Sequence, residues 1–133
     1  MRAPGTLVLA CLAALLTGCV SDSFEFELSL WRIPAGSTVA VDGEPIAADS
    51  GLIASKTFPS LADAISSPGV HLVIEQDAQV LIDETFVPGA ACAREMGNWV
   101  KDYVHVGIEG SPYPAAVSHD CYDVNGVRLM TSR

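Results

Sequence analysis

His119-Asp120-Cys121, followed at once by Tyr122 and Asp123, is the densest run of chemically capable side chains in this 133-residue sequence. An imidazole, two carboxylates and a thiol are the donor types that hold divalent metals, and His105 is the nearest further imidazole. The spacing argues against a metal centre, because no His-x-x-x-His pair or comparable tight ligand spacing occurs. The segment is instead expected to be a polar loop entering the last hairpin, with no metal ligand assigned. For nucleophilic catalysis the chain has neither a G-x-S-x-G elbow nor a Ser followed three residues later by Lys. Ser118-His119-Asp120 has triad residue types, but a triad is assembled in space through side-chain hydrogen bonds, and adjacency is the wrong geometry.

Other carboxylates give as little. Asp83 and Glu84 are neighbours in a segment that alternates like a strand, so they point to opposite faces and do not form the facing pair that glycoside hydrolysis requires. Asp42 and Glu44 flank Gly43 as turn residues and lack the ligand density of a calcium loop. No catalytic residue and no cofactor is therefore expected. The enzyme alternative is an envelope metal-dependent protein or hydrolase using His105, His119, Asp120 and Asp123, and it requires those four side chains to converge. Trp31 and Trp99 have apolar neighbours and are expected to complete the core. Ser111-Pro112-Tyr113-Pro114 is a rigid segment able to present an aromatic contact to a partner.

The elements that must position these residues are mostly strands. Phe24-Glu25-Phe26-Glu27-Leu28-Ser29-Leu30 alternates apolar and polar without a slip, as a half-buried strand does. Val39 and Val41 continue the alternation up to Asp42-Gly43, a hairpin turn signal. Between Glu44 and Ser55 no period stands out. Ser60-Leu61-Ala62-Asp63 reads as a helix N-terminus with Leu61, Ala64 and Ile65 on one face, stopped by Ser67-Pro68-Gly69. Val70, Leu72 and Ile74 form a strand, Gln76-Asp77 turns it, and Val80 and Ile82 return. Cys92, Met96, Trp99, Val100 and Tyr103 recur at helical spacing. Val104, Val106 and Ile108 make another strand with His105 on its opposite face. Asn125-Gly126 between alternating arms marks a final hairpin. The sum is a mainly β fold, a small antiparallel β-sandwich with one or two short helices.

The N-terminus is of another kind. Arg2 is followed by the apolar run Leu7–Leu16, too short for the roughly 20 residues of a membrane span, and then by Leu16-Thr17-Gly18-Cys19. This resembles the lipobox of bacterial lipoproteins. The resemblance implies cleavage of residues 1–18 as a signal peptide and lipidation of Cys19, with residues 19–23 as a tether and 24–133 as a single β-rich domain. Several acyl chains, palmitate among them, give stable anchoring where one would be marginal. Val20 rather than Asp after the Cys implies the outer membrane, periplasmic face, in a Gram-negative cell.

Composition agrees with an extracytoplasmic domain. Loss of Arg2 leaves six of seven basic residues against all sixteen acidic ones, which disfavours nucleic acid as a partner. Of four cysteines, Cys11 leaves with the signal and Cys19 takes lipid. Cys92 and Cys121 then remain as a pair in an oxidising compartment, and a disulfide is expected, with free thiols or a shared metal site as alternatives.

Ile33-Pro34-Ala35-Gly36-Ser37-Thr38-Val39-Ala40-Val41-Asp42-Gly43 resembles the opening of PEGA-type domains, and Pro68-Gly69-Val70-His71-Leu72-Val73-Ile74 their Gly-His strand. The similarity covers residues 33–88. Glu44-Pro45-Ile46-Ala47 stands where that family has Gly-Thr-Pro, and the interval to Pro68 is long. The resemblance implies an extracytoplasmic β-sandwich used for attachment or assembly. The expected function is thus a lipid-anchored, non-enzymatic binding or scaffolding domain, held to the membrane through Cys19 and meeting an envelope protein or glycan.

Overall fold

The computed structural model describes residues 23–47, 51–108 and 115–132. The lipobox with Cys19 and the Pro112-Tyr113-Pro114 segment lie outside the described residues. Strand β1 (Phe24–Trp31) buries Phe24, Phe26, Leu28 and Leu30 on one face and turns Glu25 and Glu27 to the other. It lies inside a five-stranded sheet, antiparallel to β4 (Gly51–Phe58) and parallel to β7 (Trp99–Ile108). Strands β8 (Ala115–Asp123) and β9 (Arg128–Ser132) complete the order β4-β1-β7-β8-β9. A second sheet has the order β3-β2-β5-β6, with β2 Thr38–Val41, β3 Glu44–Ile46, β5 Val70–Gln76 and β6 Gln79–Phe86.

The two inner faces close on one another as a β-sandwich. Phe26, Leu28, Leu30, Val104, Val106 and Val117 of the first sheet share a core with Val39, Val70, Leu72, Ile74, Ile82 and Phe86. Each such side chain, fully buried, contributes about 1.5–3 kcal/mol from removal of apolar area from water. At one end a smaller cluster of Phe24, Ala64, Cys92, Trp99 and Cys121 sits under helices α1 (Leu61–Ile65) and α2 (Ala90–Ala93). Ser60 caps α1 as its sequence predicts, its Oγ accepting from Asp63 N–H at 3.1 Å. Gly89, at φ 80°, leads into α2, and a Cβ there would stand 2.4 Å from Leu61 Cδ1. Only glycine fits this entry to the helix.

Several expectations need correction. The chain has a regular element where no period stood out: β3 and β4 occupy much of Glu44–Ser55. Both are largely exposed edge strands, so burial imposes no alternation on them. Helical spacing from Cys92 to Tyr103 ends after one turn, and Trp99, Val100 and Tyr103 belong to β7. Strand pairing on both sides of β7 overrides that period. His119 to Asp123 lie in β8 rather than in a loop. Val80 is exposed although Ile82 is buried, because a register shift pairs Ile74 with Ile82 but Glu75 with Val80. The extra residue, Leu81, turns Val80 to the outer face. The turn between β5 and β6 is at Asp77-Ala78, both with positive φ, one residue beyond the expected place. Ile65 is exposed, unlike Ala64 on the same short helix.

Candidate functional site

The β7·β8 ladder sorts the candidate residues. Val104 lies opposite His119, His105 opposite Ser118, Tyr103 opposite Asp120 and Asp102 opposite Cys121. Because successive strand residues face opposite ways, Asp102, His119 and Cys121 turn inward while Tyr103, His105 and Asp120 turn outward. The four residues of the enzyme alternative are therefore not brought together. Asp123 belongs to neither group: its Oδ1 accepts from the N–H groups of Asn125 and Val127 at 2.9 and 2.8 Å and so shapes the last hairpin.

The outward face carries one polar and aromatic centre. His105 Nε2 lies 3.3 Å from Asp120 Oδ2, and Arg128 reaches the same oxygen at 3.8 Å. The Tyr103 and His105 rings lie 4.1 Å apart between centroids, and Lys101 stands over Tyr103 while bonding Glu27 at 3.0 Å. Asp120 is nine-tenths buried among these groups, yet its Oδ1 is buried without a hydrogen-bond partner among the described residues. Further along the face, Trp31 is only partly buried and lies against Gly107, where a Cβ would come within 2.2 Å of its ring. Arg32 stacks 5.0 Å from the Trp31 centroid. Trp31 therefore does not complete the core; Trp99 does, its Nε1 donating to the Glu95 carbonyl.

The inward centre is built around a residue that sequence patterns did not single out. Asp102 is fully buried, and its Oδ1 lies 2.9 Å from His119 Nδ1, the imidazole N–H donating. Its Oδ2 accepts from Gly89 N–H at 3.0 Å. Beside it Cys92 and Cys121 form a disulfide with Cα atoms 5.7 Å apart, as expected for the pair. A carboxylate within an apolar alternation, between Lys101 and Tyr103, was the available signal for such a partnered group. His119 also lines a surface cleft of about 260 Å³ with Glu84, Thr85, Phe86 and Arg94. A second cleft, about 200 Å³ and bounded by Ser60, Leu61, Asn98, Trp99 and Val124, has no titratable lining residue.

Asp83 and Glu84 diverge as their strand alternation requires: Asp83 is exposed and pairs with His71, and Glu84 is half-buried at the cleft. Asp42 Oδ1 accepts from His71 N–H at 2.9 Å, tying the first hairpin to β5. Comparison of the chain with protein-family models, with curated proteins and with solved structures finds no match.

Proposed function

We propose that the protein is a non-enzymatic binding domain of the cell envelope, tethered by lipid at Cys19, that recognises a glycan with the outward face of its five-stranded sheet. The observation that carries this reading is the unpartnered, buried Oδ1 of Asp120 beneath an outward cluster of rings and charged groups. A buried acceptor left unpaired costs about 1–3 kcal/mol, which a ligand donor recovers once the side chains over Asp120 move aside to admit it. Sugar hydroxyls are such donors, and sugar rings lie against aromatic faces of the kind Trp31 and Tyr103 carry. The polar groups around them, His105, Arg128, Lys101 and Glu27, fix orientation as polar groups do in binding sites.

The tether reading rests on Leu16-Thr17-Gly18-Cys19 and its apolar lead. The PEGA-like stretch, 33–88, supplies the whole second sheet together with β4 and α1, and an attachment role suits a domain whose other sheet turns Lys101, Tyr103, His105 and Trp31 outward. Two measurements test the reading. Cys19→Ser should abolish membrane association in fractionated cells and accumulate uncleaved precursor; unchanged fractionation overturns the anchor. The purified protein should sediment with isolated peptidoglycan or bind in a panel of soluble glycans, and Trp31→Ala and Asp120→Asn should each lower that binding at least tenfold. Wild-type protein that retains no glycan, or variants that bind equally, overturns the glycan assignment.

A further inference from the structure

Three donors of metal-binding type meet inside the sandwich, away from the outward face. The two sulfurs of Cys92 and Cys121 and a carboxylate oxygen of Asp102 all lie within 4.8 Å of one another, and all three residues are buried. They come from three elements: Cys92 from α2, Asp102 from β7, and Cys121 from β8 directly opposite Asp102 in the ladder. We propose that these residues form a site for a borderline-soft divalent cation of the zinc type, closed while the disulfide is intact and opened by its reduction.

The geometry and chemistry agree with this. Around a tetrahedral zinc, with Zn–S near 2.3 Å and Zn–O near 2.0–2.2 Å, donor atoms stand roughly 3.5–4 Å apart. Reduction releases the sulfurs from covalent contact and lets them separate to that spacing by side-chain rotation, with the carboxylate already in place. Two thiolates and a carboxylate are a donor set that favours zinc over calcium or magnesium, which prefer all-oxygen sites. The carboxylate is oriented as metal ligands commonly are, by outer partners: His119 N–H on one oxygen and Gly89 N–H on the other. His119 stands two residues before Cys121 on the same face and lines the cleft; while its Nδ1–H holds Asp102 its imidazole is an outer partner, and the fourth position falls to a water.

The conversion balances simply. A dithiol passes two electrons and two protons to the disulfide, giving the Cys92 and Cys121 thiols and a disulfide of the reductant. The cation then displaces both thiol protons to solvent and binds the two thiolates. In reverse, a disulfide of the same class takes the two electrons back from the thiolates and becomes a dithiol with two protons from solvent; the Cys92–Cys121 bond re-forms and the ion is released. The proposal stands apart from the glycan reading, since none of its ligands lies on the outward face.

The test uses the purified protein, reduced without oxygen by a phosphine and titrated with Zn²⁺ against a chromophoric chelator, with Co²⁺ as a spectroscopic reporter. Reduced protein should bind one equivalent and show thiolate-to-cobalt charge-transfer bands; the disulfide form should show neither. Cys92→Ser should remove those bands, and Asp102→Asn should weaken zinc binding at least tenfold. If reduction loosens the fold, zinc should restore the β circular dichroism. Overturning results are reduced wild-type protein that binds no zinc, equal binding by the disulfide form, or an Asp102→Asn affinity equal to wild type, which would leave Asp102 as a latch for His119 and Gly89 alone. The wild-type measurement decides even if a variant does not fold.

Discussion

His105 and His119 sit in neighbouring strands, yet they stand on opposite faces of one sheet, each against a different aspartate. His105 meets Asp120 outside and His119 meets Asp102 inside. A residue type that looked like one potential site is thereby divided into two unrelated centres, one open to solvent and one packed beside the disulfide. With no shared partner, the stability losses of His105→Ala and His119→Ala should add in the double variant within about 0.5 kcal/mol. Urea unfolding of the three variants checks this, and a larger coupling would mean that the two centres communicate through the ladder.

The inner pair should be costly to break from one side. His119→Ala leaves the Asp102 carboxylate buried with the Gly89 N–H as its one remaining bond among those described. The expected loss is roughly 3 kcal/mol, the low end for a broken buried pair because the neighbouring cleft lets water approach. Adding Asp102→Asn should recover part of that loss, since a neutral amide costs less to bury unpaired than a carboxylate. Denaturant midpoints of the single and double variants would show the recovery.

Removing the disulfide by Cys92→Ala with Cys121→Ala should lower stability by roughly 3–4 kcal/mol, the chain-entropy value for its loop; the cysteines are 29 positions apart. Thermal and urea unfolding of the double variant beside the oxidised wild type measures it. A loss below 1 kcal/mol would show that the loop remains constrained in the unfolded chain without the bond.

Gly107 and Trp31 are neighbours in the parallel β1·β7 pairing, and the indole occupies the space a side chain at 107 would need. Gly107→Ala should therefore cost about 1–3 kcal/mol by overpacking and shift Trp fluorescence. In the Trp31→Ala background the same substitution should be nearly neutral. Equal costs in both backgrounds would place the penalty in the backbone instead.

The exposed pair of His71 and Asp83 offers a contrast. Both side chains are about half in water, and an ion pair so placed is worth about 0–1 kcal/mol and is screened by salt. Asp83→Ala should leave the urea midpoint almost unchanged, and a loss above 1.5 kcal/mol would reveal an unrecognised structural role for that carboxylate.

The alternation from Phe24 to Leu30, the turn chemistry at Asp42-Gly43 and Asn125-Gly126, and the capping serine at 60 determined by themselves that this chain is a β-rich sandwich with a short helix. Those signals are local: period two, positive φ and an N-cap act over a few residues and survive without knowledge of the rest. The Cys92–Cys121 pair was legible for a similar reason, because four cysteines leave few pairings. The tertiary structure alone decided where β4 joins, that β1 and β7 run parallel, and that Trp99 and Tyr103 belong to a strand rather than a helix. Those depend on pairing between segments far apart in sequence, which overrides local periodicity. It also decided the sites. Whether His119 or Asp120 turns inward beside Asp102 depends on the β7·β8 register, and a slip of one residue would exchange the two faces.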